Sequence, residues 1–236
     1  MIAKRQKLIL DAIVKEYIHS VLPISSKILE KEYDFDVCPA TIRNDMQKLT
    51  ELGYLYQPHT SAGRVPTDKA YRFFVNRLFE NDIKEFENLL EIKDVIQEQG
   101  EDTLRFASHL LRFLAMNSSS LAMAHLFDRD FIWKEGWEEV LKEPEFEQKD
   151  FVHSFTGFLK TFENSIDDFD LNSEIRIFIG NENPVSDASD FSIITSKCMF
   201  PDKNEAILTL LGPKRMDYNK NISLMNSLTK LLEDID

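Results

Sequence analysis

The chain has 236 residues, 43% hydrophobic and 29% charged, a balance that suits one or two folded domains and excludes a disordered or fibrous chain. Two cysteines, Cys38 and Cys198, are too few for a disulfide framework, and no apolar run approaches the roughly eighteen residues of a membrane helix. The net charge of −13 argues against nucleic acid until the chain is divided. Residues 1–80 carry 12 Lys+Arg against 10 Asp+Glu, for +2, whereas residues 81–236 carry 16 against 31, for −15. A mildly basic front thus precedes an acidic body, and only the front can tolerate the phosphate field of a duplex. The opening MIAKRQKLILDAIVKEY has acidic residues inside its apolar run and no small-residue cleavage site, so the cytoplasm is the expected compartment.

Leu8, Ile9, Ala12, Ile13, Tyr17 and Ile18 recur at helical spacing and predict a first helix over about 4–19, broken by Leu22-Pro23. Ser25 offers an N-cap for a short helix, SKILEKEY, and Pro39 pre-sets a third that stops at Gly53. A strand YLYQP, a loop HTSAG and the segment RVP then lead into a fourth helix, DKAYRFFVNRLF. Helical stretches are expected over 83–99 and 101–116, then strands over 119–127 and 129–135 paired around Asp128. A helix at 147–168, strands at EIRIFIG, 190–199 and EAILTLLG, and a helix at 218–235 complete the chain. Phe155, Phe158, Leu159 and Phe162, and Leu224, Leu228 and Leu231, form stripes that should face the sheet.

The third helix carries the chemistry. Ile42, Met46 and Leu49 make a narrow apolar stripe, and the opposite face presents Ala40, Asn44, Gln47 and Glu51, flanked by Thr41, Arg43 and Lys48. Arg can donate twice to guanine, and Asn or Gln can pair bidentately with adenine. A recognition helix reads base edges mainly through its N-terminal turns, where these residues lie. Taken alone, the helix is equally a solvated amphipathic one. The short capped helix before it and YLYQPHTSAGRVP after it, read as a two-stranded wing, favour a winged helix-turn-helix. The expected DNA contacts are Ser25, Ser26 and Lys27 on the second helix, and Ala40, Thr41, Arg43, Asn44, Gln47 and Lys48 on the third. His59, Thr60, Ser61 and Arg64 on the wing, and Lys69, Tyr71 and Arg72 on the fourth helix, complete the set.

Over RQKLILDAIVKEYI at 5–18, ATIRNDM at 40–46, LTELGYL at 49–55 and PHTSAGRVPTDKAYRFFV at 58–75, the chain resembles the HrcA family of heat-inducible transcription repressors. LGPKRMDYNKNISLMNSLTKLL at 211–232, KEPEF at 142–146 and IGNENP at 179–184 resemble that family's other landmarks. The resemblance implies a homodimer on an inverted-repeat operator before chaperone operons, a GAF-like C-terminal domain, and a chaperonin that helps the repressor become active. The expected architecture is therefore α+β: a winged helix at 1–80, a helical connector at 81–104 and a GAF-like sheet with covering helices at 105–236. Two departures stand out. The family is usually longer, with a dimerisation segment inserted in the GAF-like domain, and Cys38 stands where Ser would be the better N-cap.

Other chemistry is poorly supported. His19, His59, His109, His125 and His153 stand apart without metal-ligand spacing, and the short motifs of hydrolases, nucleotide binders and metalloproteases do not occur. No enzyme, metal or cofactor is expected. Two rivals stay open, a ligand-sensing regulator and a domain that chiefly docks a chaperone. Cys38 reads either as a redox switch or as an inert thiol, and Cys198 as core.

Overall fold

A computed structural model of the chain describes residues 2–81, 83–88, 90, 91, 93, 94, 103–127, 131–166 and 175–234. The chain divides into two compact units, Met1–Asp82 and Ile83–Asp236.

In the first unit, α1 (Lys4–Ser20) ends at Val21, whose φ of 58° puts a β-branched residue in the left-handed region. Its N–H still reaches Tyr17 O at 3.0 Å, and Pro23 bars continuation. The buried face is wider than the sequence stripe. Leu10 and Val14 are inside with Ile9, Ala12 and Ile13, whereas Leu8 is 47% exposed. The face widens because α1 meets α2 (Ser26–Glu32), α3 (Pro39–Glu51) and α4 (Asp68–Glu80). Ile42, Met46 and Leu49 of α3 are all buried, as their spacing predicts. Two short strands, β1 (Leu55–Tyr56) and β2 (Val65–Pro66), pair antiparallel. An ion pair between Arg77 and Asp11 ties α4 to α1.

The second unit is built on a five-stranded antiparallel sheet. Its strands are β3 (Leu121–Leu126), β4 (Phe131–Glu135), β5 (Arg176–Ile179), β6 (Phe191–Met199) and β7 (Glu205–Pro213), in the order β4-β3-β7-β6-β5. Residues 128–130, where the turn around Asp128 was expected, lie outside the described residues, as do 89, 92 and 95–99 of the expected 83–99 helix, of which 90, 91, 93 and 94 are helical. Residues 83–86 are not helical, and the Phe86 N–H donates to Ser227 Oγ at 2.9 Å.

Helix α5 (Thr103–Ser118) precedes the sheet, a four-residue α6 (Trp137–Val140) follows β4, and α7 (Lys149–Ser165) and α8 (Tyr218–Glu233) complete the unit. Phe155, Phe158, Leu159 and Phe162 of α7 pack with Leu121, Met123, Ile193, Ile207 and Leu211, as their spacing predicts. The Phe158 and Phe191 rings stack at 4.9 Å, and Phe146 meets Phe155 edge-on at 5.0 Å. Such pairs add about 0.5–1.5 kcal/mol each beyond area burial. Alternation along the strands directs Ala122, Ala124, Leu208 and Leu210 to the opposite side, where α5 and α8 pack. On α8, Leu224 and Leu228 are buried, but Leu232 takes the place expected for the half-buried Leu231.

The C-terminal landmarks meet as scaffolding. Arg215 donates to Glu145 at 2.6 and 2.8 Å and to Glu143 at 2.5 Å, joining the β7–α8 corner to the Pro144–Glu147 turn. Burial opposes its charge, yet the two carboxylates hold the guanidinium above its ordinary pKa. Asn183 Nδ2 donates to Gly180, Ala188 and Phe191 carbonyls and pins the loop before β6.

Candidate nucleic-acid interface

The first unit brings Ser25, Ser26, Lys27, Arg43, Thr60, Ser61 and Arg64 of the expected set around one hollow. Ser25 caps α2, its Oγ accepting from the Ile28 N–H at 3.3 Å, while Ser26 is half-buried and Lys27 exposed. On α3, Ala40, Arg43, Asn44, Gln47 and Lys48 are exposed and Thr41 is half-buried. A hollow of about 330 Å³ separates these elements from the loop after β1, and Ser25–Lys27, Arg43 and Thr60–Arg64 line it together.

The α3 N-terminus is unusual. Cys38 stands at the N-cap without a side-chain bond to the helix backbone, and its Sγ lies 3.3 Å from Thr41 Oγ1. The Thr41 hydroxyl lowers the thiol pKa, and the group is exposed. Further along, Asp45 is only 3% exposed on the inner side of α3. It accepts from Arg5 Nε at 2.7 Å and Gln6 Nε2 at 3.1 Å, so a buried carboxylate anchors α3 to α1.

The loop between the strands is braced from within. Gln57 Nε2 donates to the Thr60 and Ala62 carbonyls, both at 2.9 Å, and His59 Nδ1 lies 3.2 Å from Ser61 Oγ. His59, Thr60 and Ser61 are exposed at its tip. Its end is fixed to the segment before α2, where Arg64 and Ile24 exchange backbone bonds of 2.7 and 2.8 Å. A Cβ on Gly63 would lie 2.5 Å from the backbone of Pro23 and Ile24, so this close approach requires glycine.

Of the expected contacts, Tyr71 is buried, and Lys69 and Arg64 are bonded within the unit. Tyr71 is 1% exposed and belongs to the core with Phe74 and Val75, so it presents no surface to a duplex. Its i, i+3, i+4 spacing with those residues already carried that signal. Lys69 is exposed, but its Nζ donates to Leu52 O at 2.8 Å and lies 4.3 Å over the Tyr54 ring. It closes the α3 C-terminus, where a cation is favoured. Arg64 turns onto α3: Nε donates to Thr50 Oγ1 at 3.0 Å and Nη2 to the exposed Gln47 Oε1 at 3.1 Å. Arg72 is half-buried on α4. Gln57 and Asp45 were missed, because a bracing amide and an inward carboxylate leave no local pattern.

A family model described as the HrcA protein C terminal domain matches residues 64–222. A heat-inducible transcription repressor HrcA from Thermodesulfovibrio yellowstonii is 27% identical, with 99% of each chain covered. The protein of that name from Brevibacillus brevis is 25% identical over 98% of this chain and 96% of its own. The first alignment runs over 350 positions against 236 residues here, so at least 114 positions of that relative have no counterpart. A crystal structure titled as a hypothetical protein shares the fold, with a TM-score of 0.79, 19% identity, and 100% of this chain and 98% of that one covered.

Proposed function

The chain belongs to the HrcA family, and we propose that it is a sequence-specific DNA-binding repressor whose first unit acts as a winged helix-turn-helix. Its relatives are named as repressors rather than enzymes. In this reading α3 lies in the major groove, with Arg43, Asn44 and Gln47 toward base edges. The His59–Ser61 tip approaches backbone or minor groove, and Lys27, Lys48 and Arg72 add positive charge nearby. The observation that carries the reading is that Arg43 of α3, the start of α2 and the loop after β1 line one hollow.

The second unit is assigned the regulatory and dimerising role of a GAF-like domain. A front of +2 net charge offers few phosphate contacts, and pairing two modules raises effective concentration. A two-fold dimer then calls for an inverted repeat. In this reading the targets are chaperone operons, a chaperonin is a partner and the cytoplasm is the place of action; the relatives' names say only that they are heat-inducible repressors. The test is titration of the full chain, at matched salt, with duplexes from upstream of chaperone operons in its own genome and with scrambled duplexes. Preference for some of the former by 10³ or more is the order expected of specific recognition; equal binding would contradict it.

A ligand-sensing reading rests on a hollow of about 400 Å³ in the second unit, lined by Lys84, Asn117, Asn219 and Lys220 among others. A small molecule that raises the melting temperature and changes operator affinity together would support it.

A further inference from the structure

We propose that Arg64 is a positioning residue: it fixes which hydrogen-bonding groups Gln47 shows to a base edge and so sets base preference at the position Gln47 reads. The inference rests on α3 being the helix that enters the major groove. The geometry around Gln47 is fully determined. A guanidinium only donates and a carboxylate only accepts. Arg64 Nη2, 3.1 Å from one end of the Gln47 amide, marks that end as oxygen. Glu51 Oε1, 3.2 Å from the other end, marks it as nitrogen. The two-fold ambiguity of a glutamine amide is removed. One lone pair and one N–H remain, the two groups a bidentate contact with adenine requires.

Arg64 is itself held at several points. Its Nε donates to Thr50 Oγ1 at 3.0 Å, and that hydroxyl donates to Met46 O at 2.9 Å. Its backbone is bonded to Ile24 on both sides, and Gly63 before it is pressed against Pro23 and Ile24. The side chain therefore leaves a fixed anchor and ends on α3, linking two elements that would otherwise meet DNA independently. Glu51 adds an independent indication. An acidic group in the last turn opposes the helix dipole and repels phosphate, and here it holds the Gln47 amide.

A wing arginine that served chiefly as a phosphate contact would behave differently, and the two roles separate in one experiment. Affinity of the full chain is measured for its selected operator and for every single-base substitution of it, over a range of salt. The variants are Gln47→Ala, Arg64→Ala, Arg64→Lys, Glu51→Ala and the Gln47→Ala/Arg64→Ala pair, each checked by thermal unfolding. Gln47→Ala should lose about fivefold or more of its discrimination at one position. Arg64→Ala and Arg64→Lys should lose most of the same discrimination at the same position, with the double variant no worse and the salt slope unchanged. Lys keeps the charge but lacks the fork that spans Thr50 and Gln47. Glu51→Ala, which leaves Arg64 in place, should give a smaller loss at that position. Arg64→Ala weakening all duplexes alike, with the slope reduced by about one unit and rescue by Arg64→Lys, would overturn the positioning role while leaving the reading of α3 intact. Unchanged preference in Gln47→Ala would remove the α3 reading at this residue and the inference with it.

Discussion

Asn44 and Gln47 lie almost one turn apart on the outer face of α3, yet they are held differently. Gln47 is braced at both ends of its amide, whereas the exposed Asn44 side chain makes no hydrogen bond among the described residues. Asn44→Ala should therefore leave the melting temperature unchanged and remove about 1–3 kcal/mol of discrimination at one base pair. Equal operator affinity at matched salt would show that this face does not meet DNA. Asp45, on the same helix, predicts the reverse. Asp45→Ala strands Gln6 in a buried site but leaves Arg5 able to reach water, since its side chain is 44% exposed. The expected loss is about 1–3 kcal/mol of stability, read as a lower denaturant midpoint. The cysteines differ again. Burial pushes the Cys198 thiol well above its ordinary range, while Thr41 lowers that of exposed Cys38. A thiol reagent should modify Cys38 alone in the folded chain, and Thr41→Val should move the onset of its reaction to higher pH. Modification of Cys198 at a comparable rate would contradict the burial. At this scale the sequence was informative where a residue's role follows from its helical face, as for Asn44. It was silent where the role depends on a distant partner, as for Arg64 against Gln47 or Asp45 against Arg5.

The elements themselves were largely legible, because their ends carry chemistry. Pro39 opens α3, Ser25 caps α2, and Gly53 takes a φ of 77° after α3. The apolar periods of α3 and α7 survive into buried faces. What escaped was short or shaped by tertiary contact: α6 has only four residues, and the inner face of α1 is broadened by three neighbouring helices. The loop between β1 and β2 also owes its place to contacts outside itself. Gly63→Ala tests this, since the added methyl meets backbone that cannot rotate away. We expect a loss of about 1–3 kcal/mol from overpacking. Operator affinity should fall further than in Asn44→Ala, because the Arg64 anchor moves with the loop. A variant as stable as the parent would mean that the segment before α2 yields easily.

For the whole molecule, net charge separates the two parts: residues 1–80 carry +2 and residues 81–236 carry −15. Association with DNA should weaken with salt in proportion to the few phosphates each front can meet, and the acidic unit should discourage loose binding to random sequence. In the proposed dimer the symmetric contact is assigned to surfaces of the second unit, and at least 114 positions of one relative have no counterpart in the chain. Light scattering on the full chain at micromolar concentration should give twice the monomer mass, and a monomer would leave operator symmetry without a source. Whether two copies of α3 read a two-fold-symmetric DNA sequence is tested by selecting bound duplexes from a random pool with the full chain. One inverted repeat should be enriched, with half-sites a fixed distance apart, and its selection should be degraded at single positions by Asn44→Ala and Gln47→Ala. Enrichment of a lone half-site, or of no sequence at all, would contradict that reading.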